Sequence, residues 1–422
     1  MKNFFMSAGL VAVGAAGLQS ALADDSTLAA PSKAWTVSAT LRGFYDDNYT
    51  TTTDSSKKGS FGIELSPSIS TSASLQQTDI GFRYTYGLYW YQERQILRQD
   101  AIDQSHQMDF WLDHAFDERW KATITDTFAV GQEPELLSGG TPYRVEGDNV
   151  ANHFNIALNT QWTRQFSTSL HYENDFYDYQ ATGFNNPSGA SYAGLLNRFD
   201  QNAGLDLQWH LQMETMAFIG YSLDWIDYNA NEEIVAGPPI TYYSRDRDSL
   251  THQVHVGLQH QFTANLGGTV SVGGQYTDSY NIPVGSSGSW SPYANVSLNY
   301  TYLPGSYAQL GFTHTINATD VAQVSGSSLS LYQQSSTLYG NINHRFTEKL
   351  TGSVLAQVVY SDYEGGGITD PDVDYSLGLN LAYQINRNLS ADIGYNYDDL
   401  QSDVAGRGYE RNRYYIGMTA SY

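Results

Sequence analysis

Along residues 413–422, RYYIGMTASY, apolar and polar positions alternate. Tyr414, Ile416, Met418, Ala420 and Tyr422 share one face, and Arg413, Tyr415, Gly417, Thr419 and Ser421 share the other. That period of two belongs to a β-strand, whose successive side chains point to opposite sides. The same rhythm opens at Trp35, where Val37, Ala39, Leu41 and Gly43 alternate with Thr36, Ser38, Thr40 and Arg42. It continues with Phe61, Ile63, Leu65 and Ile69 against Gly62, Glu64, Ser66 and Ser68. Ile80, Phe82, Tyr84, Tyr86, Leu88 and Trp90 then alternate with Asp79, Gly81, Arg83, Thr85 and Gly87.

Strands of roughly 10–15 residues are separated alternately by tight turns and longer polar loops. The turns are predicted near 71–74, 117–119, 163–166, 210–213, 262–265, 303–305, 346–349 and 386–388. The loops are predicted near 47–59, 93–103, 131–149, 183–193, 229–248, 281–288, 317–328, 362–371 and 401–410. Eight turns and nine loops connect about eighteen strands, within a range of 16–20. The pattern predicts an all-β chain: a transmembrane antiparallel up-and-down β-barrel over residues 35–422, with short periplasmic turns, longer external loops and both ends periplasmic. Residues 413–422 then close the barrel against 35–45, which removes an otherwise unprotected sheet edge.

A propeller repeat of similar period would need four short strands per unit and a recurring signature, and neither is present. The tryptophans add independent support. Trp35, Trp120, Trp162 and Trp209 fall beside predicted periplasmic turns, and Trp90, Trp225 and Trp290 near predicted external ends. All seven lie on the apolar face, as in the aromatic belts of a membrane barrel; Trp111 alone is mid-strand on the other face.

Composition agrees. Charged residues make up 15% of the chain, aromatics 14%, and there are 33 Tyr and 38 Gly. There is no cysteine, hence no disulfide framework or thiolate chemistry. At the amino terminus, Lys2, an apolar run over 4–18 and Ala21-Leu22-Ala23 form the three-part pattern of a signal peptide, expected over 1–23. Residues 24–34 are expected to be a short periplasmic tail. The net charge of −23 becomes −24 once Lys2 is removed, since residues 1–23 carry no Asp or Glu. Such a charge argues against nucleic acid as a partner.

The first predicted hairpin carries Tyr45-Asp46-Asp47-Asn48 and then Glu64-Leu65-Ser66-Pro67-Ser68. These elements resemble the β-barrel porin 2 family, which also touches barrels associated with exopolysaccharide gene clusters. The strand ending at Tyr422 likewise resembles the terminal strands of bacterial outer-membrane barrels, whose aromatic end is read by the assembly machinery. The resemblance implies a channel-like barrel in the outer membrane and no defined substrate.

By parity the inward face holds Arg42, Arg83, Arg198, Arg345 and Arg413, with Asp79, Asp109, Asp113, Glu173, Asp175, Asp200, Asp206, Asp224, Asp374, Asp392 and Asp398. These residues either simply solvate the lumen or set a preference among solutes, and an acidic excess favours cations and neutral polar molecules. Loop 131–149, the third external one, is a candidate to fold inward and narrow the pore, presenting Glu133, Glu135, Glu146 and Asp148; loop 229–248 is an equally long competitor. His252 and His255 point to opposite faces of a strand and cannot share a metal ion. The acidic runs 370–374 and 397–403 lack the spacing of a calcium loop. No G-x-S-x-G elbow occurs, and His106, His114, His171 and His255 fall on different strands and mixed faces, so no cofactor and no enzyme activity are expected.

The expected function is passive diffusion of small polar solutes through an acid-rich, water-filled lumen. The alternative is export or binding of a polysaccharide, with Tyr177, Tyr179, Tyr293, Tyr307 and Tyr415 stacking on sugars. The expected partners are outer-membrane lipid, the barrel assembly machinery and periplasmic chaperones. Removing Tyr422, or replacing Tyr414, Ile416 and Met418 together by polar residues, should block assembly before it alters transport. Heat-modifiable gel migration of the membrane fraction checks this, and a normally folded barrel from the truncated chain would contradict it.

Overall fold

The computed structural model describes residues 34–131, 149–180, 190–236, 240–284 and 288–422; the expected signal peptide lies outside them. Among the described residues, eighteen long strands form one closed antiparallel sheet. In chain order these are β1 (Trp35–Asp46), β2 (Ser60–Ser74), β3 (Thr78–Tyr91), β4 (Ile102–Ala115), β5 (Trp120–Gly131) and β6 (Asn149–Gln161). They continue with β7 (Phe166–Tyr179), β8 (Arg198–Gln212) and β9 (Thr215–Tyr228). β10 (Glu233–Val235) and β11 (Tyr242–Tyr243) form a short hairpin within a loop. The barrel resumes with β12 (Ser249–Thr263), β13 (Leu266–Asp278), β14 (Gly288–Leu303) and β15 (Ser306–Asn317). A second loop hairpin, β16 (Val324–Ser325) and β17 (Ser328–Leu329), precedes β18 (Tyr332–Arg345), β19 (Leu350–Glu364), β20 (Asp372–Asn386), β21 (Leu389–Gln401) and β22 (Tyr409–Ser421).

β22 returns to β1 with Ser38 opposite Ser421 through Asp46 opposite Arg413. The expected closure and strand number are therefore observed. The first turn is displaced, lying at 75–77 rather than 71–74, because β2 continues to Ser74. Its tail looks like a polar link, yet Ser70, Ser72 and Ser74 alternate with Ile69, Thr71 and Ala73, and the backbone pairs with β3 throughout. Small polar residues fit a paired strand where the inner face meets water.

Five periplasmic turns share one construction. An apolar residue is followed by Asp, Thr or Asn, then two more residues and another apolar one: Phe116-Asp117 to Trp120, Trp162-Thr163 to Phe166, Phe262-Thr263 to Leu266, Phe346-Thr347 to Leu350, and Ile385-Asn386 to Leu389. In the first four, the side-chain oxygen of the second residue accepts from the N–H groups two and three positions later. In the fifth, Asn386 accepts from the Asn388 N–H. The side chain thus supplies the acceptor that reverses the chain in so few residues.

The usual distribution of residues is inverted. Leu41 is 56% exposed and Ile416 65%, on the outer wall, whereas Arg42 is 9% exposed, inside. Such an apolar exterior requires lipid around it. No helix among the described residues is long and apolar enough to cross a membrane. The closed sheet, by contrast, pairs its strand edges within itself, as a span through hydrocarbon requires. Ring pairs cluster at the periplasmic end, with Trp35 5.9 Å from Tyr422 and Trp120 5.5 Å from Trp162, while Tyr276 and Trp290 meet at 5.1 Å near the external end.

Trp111 lies inside, its ring over Gly81 on the neighbouring strand; a Cβ on Gly81 would stand 2.0 Å from the indole. Gly81→Val should therefore displace Trp111 and cost roughly 1–3 kcal/mol. A urea titration following tryptophan fluorescence measures this, and an unchanged midpoint would contradict the close approach.

Candidate functional site

The inward side chains are held in ion pairs across neighbouring strands. Arg42 meets Asp392 at 2.9 Å and Glu64 at 3.6 Å, with its guanidinium 5.0 Å over the Tyr415 ring. Arg83 meets Asp109 at 2.9 Å, and Asp109 also accepts from Gln107 and Thr127. Asp113 pairs with Lys121 at 3.1 Å and accepts from Thr123. Arg413 and Arg411 both reach Asp46, at 3.0 and 2.6 Å.

A separate stretch of wall on β7, β8 and β9 is acidic. Asp175 lies directly opposite Asp200, and Glu173 and Asp224 flank Asn202 on either side. His153 is 2.9 Å from Asp175, Arg198 2.9 Å from Asp200, and His255 3.2 Å from Asp206. Eighteen strands divide the circumference into steps of roughly 20° (360°/18). β1 and β8, seven steps apart, therefore stand roughly 140° apart across the lumen. Arg42 is seven residues above Trp35 and Glu173 seven above Phe166, so the two walls carry these charges at similar height.

The candidates do not form one ring. Arg198 sits at the external end of β8. Arg345 sits at the periplasmic rim, where it donates to the Glu348 carbonyl at 3.4 Å. Tyr414, Ile416 and Met418 face outward, and Tyr422 exchanges backbone hydrogen bonds with Val37.

The mouth holds a feature that parity did not disclose. The described parts of three external loops, residues 190–197, 229–248 and 318–331, share one apolar cluster that includes Leu195, Ile234, Tyr242, Ala322 and Leu329. The cluster continues onto Ala151, Tyr177 and Tyr179, which point into the barrel, so the loops pack into its opening. Arg247 binds them together: it donates to the Thr319 carbonyl at 2.8 Å and the Leu195 carbonyl at 2.6 Å, with its guanidinium 4.4 Å over Tyr228. Tyr242 donates to the Ser327 carbonyl, and Ser191 to Glu232. Arg407, from the last external loop, pairs with Asp320 and, at 2.7 Å, with Asp372.

Burial pushes the Arg247 guanidinium below its ordinary value. Burial also opposes the charge on Arg407, but Asp320, Tyr363 and Asp372 outweigh it and hold that group above its ordinary value. Burial raises the Asp246 and Asp248 carboxyls. The signal missed in the sequence was apolar residues, Leu195-Leu196, Ile234-Val235 and Leu329, inside loops otherwise rich in polar residues. Of the loops considered for a constriction, 229–248 does enter the mouth, while Glu133, Glu135, Glu146 and Asp148 lie outside the described residues.

Among the described residues no group of three or more His, Cys, Asp or Glu is placed to hold a metal. His252 contacts the Tyr221 hydroxyl on the outer wall while His255 faces Asp206 inside, as the strand spacing requires.

The hairpin motif has a structural reading. Asp46 takes Arg411 and Arg413, Asp47 accepts from the Asn412 N–H at 2.6 Å, and the Asn48 carboxamide donates to the Glu410 carbonyl at 2.9 Å. All three grip the last strand, and Glu64 holds Arg42 beside it. The model of the family described as Putative beta-barrel porin 2 matches residues 35–422. The chain belongs to this family. It is a bacterial outer-membrane β-barrel of the porin kind. No curated protein matches it. Solved structures with a similar fold include Acinetobacter baumannii OccAB4 (9% identity, TM-score 0.44, covering 92% of this chain and 99% of that one). Pseudomonas aeruginosa OccK2 (OpdF) in complex with glucuronate is similar at 11% identity and a TM-score of 0.46, covering 92% and 98%. The P. aeruginosa outer membrane protein opdK is similar at 9% identity and a TM-score of 0.43, covering 92% and 99%.

Arg247→Ala should release the mouth of this porin-family barrel. It leaves two buried carbonyls without donors, at roughly 1–3 kcal/mol each, while the strands stay paired. The expected result is higher and noisier single-channel conductance and faster trypsin cleavage within 190–248. Conductance and cleavage equal to wild type would contradict the role of Arg247.

Proposed function

We propose that this porin-family chain lets small polar solutes diffuse passively through its lumen, with a preference for cations and neutral molecules over anions. The observation that carries the reading is the carboxylate patch of Glu173, Asp175, Asp200 and Asp224 on β7–β9, where the cationic partners among the described residues are Arg198 and His153. Fixed charge on a pore wall concentrates counter-ions and repels ions of like sign. The arginine-bearing wall around Arg42 is largely neutralised by Glu64 and Asp392, so the acidic side dominates the field. Arg83, Asp109, Asp113, Arg198, Arg345 and Arg413 serve as pore lining in this reading, and the loop cluster limits solute size. The chain acts as a channel rather than an enzyme, with outer-membrane lipid, the assembly machinery and its chaperones as partners in biogenesis.

The polysaccharide reading is less well supported. Tyr177 and Tyr179 are buried beneath the loops and Tyr415 lies under Arg42, which leaves Tyr293 and Tyr307 to stack on sugars.

Reversal potentials in a salt gradient test the proposal. Glu173→Gln with Asp224→Asn should move the cation/anion permeability ratio toward one without loss of conductance steps. An unchanged ratio, or anion preference in the wild type, would overturn it.

A further inference from the structure

Of the eight tryptophans, Trp111 is the one that faces the lumen. Three atoms of its indole would stand 2.0, 2.2 and 2.7 Å from a Cβ on Gly81, so the ring lies down against the backbone of β3 and covers that glycine. The rest of its surface is partly exposed. Other inward rings are covered by the protein itself. Phe44, Tyr415 and Tyr177 each carry a guanidinium over the ring, from Arg413 at 4.8 Å, Arg42 at 5.0 Å and Arg198 at 4.1 Å. An apolar ring on a water-filled wall gains free energy when another apolar surface settles on it.

The wall around this indole is made of paired ions and hydroxyls. Two residues toward the mouth, Asp109 meets Arg83 at 2.9 Å. Two residues toward the periplasm, Asp113 meets Lys121 at 3.1 Å, with side chains 40% and 50% exposed. Asp79 lies opposite Asp113 and is also exposed. Thr125 stands opposite Trp111 on β5, and Ser72 opposite Gly81 on β2. Arg83 and Lys121 flank the ring above and below and repel a cation over its face, while Asp79, Asp109 and Asp113 repel an anion. The surroundings fit a neutral molecule with an apolar face and an edge of groups that both donate and accept.

We infer that Trp111 is a stacking platform for the pyranose ring of a neutral sugar moving through the lumen. The inference rests on the reading of the chain as a diffusion channel and names one class of neutral solute for it. The axial C–H groups of a pyranose form an apolar face that covers the indole. Its equatorial hydroxyls, each a donor and an acceptor, point sideways to Asp109 and Arg83 on one side and to Asp113 and Lys121 on the other. Hydrogen bonds to ionised groups are the strong ones. An apolar surface with a few convergent polar groups is the usual make-up of a small-molecule site. Trp111 is four residues above Ala115, the periplasmic end of β4. At about 3.3 Å per residue and a tilt of about 40°, that is about 10 Å above the rim, on the periplasmic side of the loop cluster. A single platform holds a sugar weakly, so it delays passage without stopping it.

Planar-bilayer recording with the neutral sugar maltotriose on both sides tests the inference. Maltotriose should interrupt the open current of the wild type briefly and reversibly. Trp111→Ala should raise the half-blocking concentration roughly fivefold to tenfold, and Trp111→Tyr, which keeps a ring over Gly81, should restore most of the block. Lys121→Gln, a change at an exposed side chain, should weaken the block while the indole stays in place. Tyr339→Leu is the control. It removes the ring that covers Gly311 on β18, eight strands and roughly 160° around the wall from β4, and should be blocked like the wild type. Open steps that maltotriose does not interrupt, a block unchanged in Trp111→Ala or in Lys121→Gln, or an equal loss in Tyr339→Leu would overturn the inference and leave the channel reading standing. A wild type with no open steps would overturn both.

Discussion

The seam between β1 and β22 is the constraint on which the rest of this molecule depends. A sheet of eighteen strands either closes or presents two unsatisfied edges to hydrocarbon, where no water can complete their hydrogen bonds. Closure demands one register. A slip of β22 by one residue would turn Arg411 and Arg413 toward lipid and Ile416 and Met418 toward water. The observed register avoids this twice over. Thr40 faces Thr419 within hydrogen-bonding distance, and Asp46 gathers Arg411 and Arg413 at the outer end. Asp47 and Asn48 then carry the grip beyond the strand, so the hairpin chemistry is explained by the closing of the barrel rather than by a ligand.

Once the cylinder is sealed, its inside and outside become independent surfaces. Inside, ion pairs between neighbouring strands neutralise most arginines locally and leave the β7–β9 wall acidic. At the mouth, three loops that each contain a few apolar residues find one another and build an extended apolar cluster away from the lipid face, with Arg247 satisfying carbonyls that the packing would otherwise strand. Outside, most of the wall is apolar, with polar side chains such as His106, Asp126 and His252 set among the aliphatic and aromatic ones.

The period-two pattern was enough for the fold. Strand number, closure and the side of each residue all follow from alternation, since a side chain in a paired strand has only two directions to point. The one misplaced turn, at 75–77, lay where serines and threonines made strand and link chemically alike. The inward residues were legible for the same reason. Their heights were not, so Arg345 turned out to lie at a rim and Arg198 near the mouth. The loop cluster was not legible because its members, Leu195 and Leu329 among them, are far apart in the chain with no shared periodicity, and loop polarity masked the few apolar anchors.

The central claim is that a sealed, polar-lined cylinder conducts through loops that narrow it without stopping it. Single-channel recording of the refolded wild-type protein in a planar lipid bilayer tests this most directly. Discrete, ohmic steps with cation preference, present without any added partner, are the predicted result. A protein that inserts but stays electrically silent, or one that fails to insert into lipid, would contradict it.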